Sequence, residues 1–420
     1  MRVHNVVIVG SSLAAVRAAE TLRQNGHEGS IIVIGGEAGM PYDRPPLSKK
    51  YLSGEVDAER IALRKPEMID ALGITWRLGS AAVGLDTVAK AVALADGSSV
   101  TYDGLIIATG GDARTLPGIP MVKGVHTLRT KADADALKEE LSAGTRFVVV
   151  GAGFIGLEAA ATAKQLGADV TVLEGAPAPL IRGLGAEMGA AIAGIHERNG
   201  VAIRCGVSID GIEQVDGRVT AVRLGDGTTV DADVVLVGIG VTPAVAWLQG
   251  SGLTLNDGVV CDANLNTGVP GVYAAGDLLR WPNELFAHVE PLMRVEHWTN
   301  AAEQGAVAAQ NLLAESRGEQ LTPYSAVPFF WSDQFDARIQ FIGRSHPDAQ
   351  VTVVAGSVDE GRWAAMYTLD DRVVAVLGVT MPKMVMPSRA LLMTPTTTDQ
   401  ALAHFERLKN PPPPAPKPAQ

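Results

Sequence analysis

Two glycine-rich turns, at Gly10 and Gly151, each follow a short apolar run in this 420-residue chain. The second reads Gly151-Ala152-Gly153-Phe154-Ile155-Gly156. Gly151 permits a tight strand-to-helix turn, Gly153 lets a pyrophosphate approach the backbone, and Gly156 lets helix and strand pack closely. The helix that follows would offer free N–H groups and a positive dipole end to phosphates. Glu174 closes the next apolar run. A carboxylate there can accept both ribose hydroxyls and repel a 2′-phosphate, which favours NAD over NADP. The alternative is a nucleotide-free turn with a solvated acid. The first turn runs Gly10-Ser11-Ser12-Leu13-Ala14-Ala15. Ser12 stands at the middle glycine and Ala15 at the last, where alanine is an accepted substitute. Glu37 is the matching ribose acid, or else a solvated loop residue. Two such turns imply two dinucleotides held face to face, and hence a redox relay.

Other charged and aromatic residues stand where they could serve that relay. Arg44-Pro45-Pro46-Leu47-Ser48-Lys49 is a stiff loop whose prolines let its two cations project with little loss of entropy. Glu158 is an acid in an otherwise apolar helix, and charges in such places are seldom unpaired. Asp277 follows a strand and Gly276, placed to accept bonds from a ligand or to cap its own turn. Glu296, His297 and Trp298 open a helix whose free N–H groups can stabilise negative charge. Trp298 could equally be core packing, and Trp331 lies in an aromatic cluster of a kind that is more often core than a wall.

These residues need strands and helices to aim them. The first unit reads as strand Val6–Val9, helix Leu13–Arg23 and strand Ile31–Ile34, with Leu13, Val16, Ala19 and Leu22 at helical spacing. It closes on a buried-type strand ending at Ala108-Thr109-Gly110. The second repeats the plan with strand Phe147–Val150, helix Phe154–Leu166 and strand Val170–Leu173, closing at Gly238-Ile239-Gly240. Val272 to Asp277 reads as a return to the first unit, and a helix is expected over Val295–Leu313. Beyond about Val327 short alternating strands take over, including Arg338–Ile342, Trp363–Tyr367 and Val373–Val379, with a helix near Asp399–Leu408. The expected division is 1–113 with 241–326, an inserted 114–240, an α+β piece at 327–410, and a solvated proline-rich tail at 411–420. The fold class is α/β: two Rossmann-like dinucleotide-binding domains, the first discontinuous, plus the α+β C-terminal domain.

Composition narrows the function. The chain is 47% apolar and 19% charged, as in an ordinary globular protein, and too long for one core. Apolar runs are short and broken, so no membrane span is expected. The first strand begins within a few residues, with no secretory leader before it, so a cytoplasmic protein is expected. The net charge of −11 argues against nucleic acid or anionic lipid as a bulk partner. Only Cys205 and Cys261 are present, and their spacing fits neither a zinc site nor a redox pair. His4, His27, His126 and His346 lack a second ligand at metal spacing; they read as surface or capping residues, and no metal site is expected.

Taken together, Gly10 to Ala15, Arg44 to Lys49, Gly151 to Gly156, Tyr273 to Asp277 and Glu296-His297-Trp298 resemble the FAD-dependent ferredoxin reductases of the putidaredoxin, rubredoxin and dioxygenase type. The resemblance spans about residues 5–410. It implies FAD on the first domain, NADH on the second, and a third domain shaping the flavin face. It implies that Arg44 and Lys49 lie near the isoalloxazine and its phosphates, that Lys49 pairs with Glu158 beside the nicotinamide as the catalytic pair, and that Asp277 accepts from the ribityl hydroxyls. The implied activity is electron transfer from NADH through FAD to a [2Fe–2S] ferredoxin that serves a P450 or ring-hydroxylating oxygenase. Two other readings stay open: an NADH oxidase or reductase of a small organic acceptor, and a flavin-bound NADH-sensing scaffold resembling apoptosis-inducing factor. The absence of any cysteine before residue 205 argues against disulfide-reductase chemistry at the flavin.

Overall fold

The structure, a computed structural model, describes residues 3–410. The proline-rich tail expected at 411–420 lies outside the described residues. The apolar run at Asn5–Val9 becomes the middle strand of a five-stranded parallel sheet. The order is Val272–Ala274, Gly104–Ile107, Asn5–Val9, Ser30–Gly35 and Ile74–Leu78. Val6 to Val9 are at most 1% exposed, which is why the run is apolar throughout rather than alternating. The late strand Val272–Ala274 pairs in parallel with Gly104–Ile107, so the chain does return to its first sheet. A second parallel sheet repeats the plan, in the order Ala202–Cys205, Asp169–Glu174, Arg146–Val150, Val234–Val237 and Val125–His126.

The repeat goes further than the alternation of strands and helices suggests. Just before each closing strand stands a small three-stranded antiparallel sheet. One is built from Ala82–Asp86, Ala91–Leu94 and Ser99–Thr101, the other from Ile209–Val215, Arg218–Leu224 and Thr229–Asp231. Between the two units the chain passes out at Gly111–Ala113 and back at Val241–Pro243, and these two segments pair antiparallel.

The C-terminal strands form a five-stranded antiparallel sheet in the order Phe329–Gln334, Ala337–Gly343, Arg372–Val379, Arg362–Leu369 and Gln350–Ser357. The three strands named from the sequence form its middle, and Phe329–Gln334 and Gln350–Ser357 flank them. Trp363, Phe341 and Tyr367 fill one buried face. Helix Thr398–Lys409 covers the sheet, opened by a reciprocal capping box between Thr397 and Gln400.

The helix expected at Val295–Leu313 runs instead from Trp298 to Arg317. Val295 is drawn into the core, and its carbonyl accepts the Asn300 side chain, so it cannot start the helix. His297 is extended (φ −113°, ψ 144°) and serves as the N-cap, while Gly318 ends the helix in the left-handed region. His27 also departs from expectation: it is buried, beside the Ser30 carbonyl at the start of strand Ser30–Gly35.

Candidate active site

The first glycine turn is shaped as its sequence demands. Gly10 has φ +116°, and a Cβ there would stand 2.1 Å from the carbonyl oxygen of Ala108. Ser12 is the extended N-cap of helix Leu13–Gln24, yet its side chain makes no capping bond, and no acid occupies the first turn. The hydroxyl and the helix N-terminus are therefore left to an anion. They face a cleft of about 810 Å³. Gly10, Ser12, Leu13, Ala14, Glu37, Arg44, Pro45 and Lys49 line it on one side. Ala108, Thr109, Gly110, Gly276, Asp277, Glu296, His297, Trp298 and Trp331 line the rest. Ala15 does not reach the cleft: it is 1% exposed and packs in the core beneath the turn. Small size, rather than ligand contact, is what that position requires.

Two braces hold the cleft's polar side chains. Glu37 is neither free nor fully solvated. One oxygen accepts from the Tyr42 hydroxyl and the other pairs with Arg44 at 2.6 Å. Arg44 also donates to the Arg129 carbonyl, so it does not project freely as its stiff loop suggests. Burial, with Glu37 beside it, pushes the Tyr42 hydroxyl up to about 12. Asp277 pairs with Arg129 at 2.9 Å. Arg129 donates in addition to the Gly111 carbonyl, at the strand where the two units join. Sequence reasoning missed Arg129, which belongs to no motif.

Lys49 and Glu158 meet, as the resemblance implies, at 2.7 Å. Their side chains are 16% and 6% exposed, and both line the cleft. Glu158 accepts from Ser48 at 2.5 Å through the same oxygen and from Ser332 at 2.6 Å through the other. Thr162, one turn further along the helix, donates to the Ser48 carbonyl and anchors the loop. A buried carboxylate is tolerable only when so fully partnered. Ser48 was legible as part of the proline loop, but not its bond.

The second turn opens on a smaller cleft of about 320 Å³. Gly153, Phe154, Glu174, Ile239 and Gly240 line it, together with Arg114, Arg182 and Arg294. Gly151, Gly156 and Gly238 do not line it; they pack against one another's backbone in the turn. A Cβ at Gly151 would stand 2.6 Å from the Gly238 carbonyl, and one at Gly156 2.3 Å from that of Gly151. By contrast a Cβ at Gly153 would meet nothing closer than 3.9 Å, so this glycine keeps space for something outside the protein. Glu174 accepts from the Ala152 N–H at 2.7 Å and the Ala176 N–H at 2.8 Å, one to each oxygen. The carboxylate is thus aimed by backbone. Phe154 lines both clefts, and Ile155, 40% exposed, borders the larger one. The two clefts meet at this helix.

Aromatic rings close the larger cleft at its rim. Trp298 is 37% exposed, donates to Asp43 at 2.7 Å and meets Trp331 edge-on at 6.2 Å. It is a rim residue, not core. Glu296 is tied to Arg294. His297 tilts against Phe330, and its Nδ1 is sealed from solvent without a partner. Burial, then the charge of Arg344, pushes its imidazole down to about 3. An unfolded histidine takes up its proton near pH 6.5, which the folded one refuses. The folded state therefore loses stability as pH falls from about 6.5 toward 3, by at most about 1.4 kcal/mol per pH unit. Urea titrations from pH 7 to 4.5 should show a shallower acid limb for His297→Gln than for the parent. Identical limbs would mean that this ring takes no part.

Residues 4–305 match the pyridine nucleotide-disulphide oxidoreductases, and residues 329–406 match the reductase C-terminal domain. The chain belongs to the pyridine nucleotide-disulphide oxidoreductase family. It is 38% identical to rhodocoxin reductase of Rhodococcus erythropolis, over 94% of this chain and 92% of that one. It is 38% identical to the ferredoxin–NAD(+) reductase component of the anthranilate 1,2-dioxygenase system of Burkholderia cepacia, over 92% and 93% of the two chains. Among solved structures, the covalent putidaredoxin reductase–putidaredoxin complex superimposes with a TM-score of 0.90 at 33% identity, covering 97% of this chain and 98% of the matched one. Oxidoreductases of this family use FAD and a nicotinamide dinucleotide. The two clefts fit that pair: each has a cradle that a side chain would fill and a helix N-terminus without its own acid. In one respect the chain departs from the family's descriptive name. Cys205 and Cys261 are unpaired, and neither lines either cleft. Among the described residues no helix is long and apolar enough to cross a membrane, and no three metal-ligating side chains cluster.

Proposed function

We propose that this chain is an NADH-dependent flavoprotein that reduces a [2Fe–2S] ferredoxin serving a cytochrome P450 or a ring-hydroxylating oxygenase. The observation that carries this reading is the buried Lys49–Glu158 pair in the larger cleft, on the helix whose Phe154 lines both clefts, with no cysteine lining either. Relatives named as reductases of rhodocoxin and of a dioxygenase ferredoxin supply the acceptor class. Bound FAD would supply the conversion from paired to single electrons.

The lining of the two clefts supports a division of labour. Residues 1–113 with 241–326 hold FAD, 114–240 hold NADH, and 327–410 complete the flavin face. At the first turn Gly10, Ser12, Leu13 and Ala14 receive the pyrophosphate, with Ala15 packing beneath. Glu37 fixes the adenosine side, and Arg44, which the resemblance places near the isoalloxazine and its phosphates, is braced against Glu37 instead; Asp277, with Arg129, holds the ribityl chain. Pro45, Ala108, Thr109, Gly110 and Gly276 shape the walls, and Trp298 and Trp331 exclude water at the rim. His297 and Glu296 place the helix N-terminus toward the ring. Gly151, Gly153, Phe154, Ile155 and Gly156 seat NADH with Gly238, Ile239 and Gly240. Lys49 holds positive charge where hydride would arrive, and Glu158 keeps that ammonium in place. The cytoplasm is the proposed compartment, in keeping with two unpaired cysteines.

Anaerobic mixing of NADH-reduced holoenzyme with an acidic [2Fe–2S] ferredoxin tests the acceptor. Bleaching of the ferredoxin bands well above the rate to a free dye is expected. Equal rates, or fast turnover on oxygen alone, would point to another acceptor. Glu174→Ala tests the dinucleotide. It should raise KM for NADH and relax discrimination against NADPH by about 1.5–3 kcal/mol, the range for hydrogen bonds to a charged group. An unchanged ratio of kcat/KM for the two would remove Glu174 from the ribose.

A further inference from the structure

Glu158 does not end at Ser332. The Ser332 hydroxyl, having donated to Glu158, accepts from Gln334 Nε2 at 3.0 Å. Gln334 Oε1 lies 2.8 Å from His196 Nε2. Ser332, Gln334 and His196 are all 0% exposed. The chain therefore runs Lys49, Glu158, Ser332, Gln334, His196 through protein alone.

Its polarity is fixed by the acid. Ser332 must spend its one O–H on Glu158, since no other donor meets that oxygen among the described residues. It can then only accept from Gln334, which sets the amide with its N–H₂ toward Ser332 and its oxygen toward the histidine. His196 must in turn carry its proton on Nε2, which leaves Nδ1 bare and without a partner. Turning the amide over would set two acceptors, or two donors, against each other. Every donor thus points toward the carboxylate, and such chains strengthen one another in a low-dielectric interior. The chain also crosses the molecule. Lys49 belongs to the proline loop, Glu158 and His196 to helices Phe154–Gln165 and Ile181–Arg198, and Ser332 and Gln334 to the first C-terminal strand.

We infer that Ser332, Gln334 and His196 form a buried positioning relay that holds the Glu158 carboxylate, and through it the Lys49 ammonium, in place for hydride transfer. The inference rests on the reading of Lys49 and Glu158 given above. It assigns the C-terminal strand a part in the nicotinamide half-reaction, which its distance in sequence from both glycine turns conceals.

The test is single-turnover reduction of the bound flavin by NADH, without oxygen, in holoenzyme variants. Ser332→Ala should slow reduction by about tenfold or more, as for loss of a bond to a charged group, and Gln334→Met by about two- to tenfold, as for loss of a neutral bond, with little change in the NADH concentration at half-maximal rate in either. In a Glu158→Gln background neither should slow it further, because the relay acts only through Glu158. Gln334→Met carries the same test should Ser332→Ala not fold. Slowing of equal size in both backgrounds, or parental rates while Glu158→Gln alone is slow, would overturn the relay and leave the pair standing. A Glu158→Gln enzyme as fast as the parent would overturn the pair, and the relay with it.

Discussion

Gly10→Ala should purify without its yellow colour. The backbone at Gly10 sits at φ +116°, and the added methyl would stand 2.1 Å from the Ala108 carbonyl oxygen. Neither offender is a flexible side-chain tip, so one of two adjacent strands must move. Holding a residue with a side chain in that region of φ costs about 1–3 kcal/mol. Forcing the extra carbon into packed backbone costs about 1–3 kcal/mol more. The displacement falls on the cradle itself, because the Gly10 N–H also bonds to the Ile34 carbonyl at 2.7 Å. Flavin retention should therefore drop far more than the fold does. Flavin absorbance per chain after gel filtration, with circular dichroism as a control, measures both. A variant that stays fully yellow would show that the close approach at Gly10 does not govern cofactor binding.

Lys49→Met should slow flavin reduction by NADH about 100- to 1,000-fold, the range for removing one preorganised charge-stabilising donor. Methionine keeps the length of the stem and removes the ammonium. It also leaves Glu158 buried with only hydroxyl partners, Ser48 and Ser332. Breaking a buried pair in this way costs about 3–5 kcal/mol of stability. The melting temperature should fall along with the rate. The kinetic comparison belongs at a temperature where both proteins are fully folded and fully loaded with FAD. A rate within a factor of a few of the parent would leave Lys49 a structural residue only.

Much of this arrangement is legible in the sequence. The two cradles announce themselves because phosphate binding needs glycine at fixed offsets from a strand end, as at Gly151 and Gly153. The nested return of Val272–Ala274 to the first sheet was legible because the same strand-and-glycine pattern closes both units. What stayed hidden depends on contacts between distant parts of the chain. Glu158 stood out as an acid in an apolar helix, but only resemblance supplied Lys49 as its partner. Ser332 and Gln334 alternate on one face of a strand, as buried core residues do, and nothing local marks them as polar links. Arg129 lies in a loop without pattern, and only the fold brings it to Asp277. The two small antiparallel sheets escaped because their strands are three to seven residues long and close to turns. Short elements of that kind take their shape from packing rather than from local preference.

The paired segments Gly111–Ala113 and Val241–Pro243 carry one more consequence. The inserted unit leaves and rejoins its host through a neck two strands wide, with its ends clasped side by side. Loops within the insert can lengthen, shorten or change charge without shifting the register of a single strand in the host sheet. Under the proposed division of labour, substitutions that change the choice of nicotinamide coenzyme can therefore accumulate in the insert without disturbing the strands that would hold the flavin.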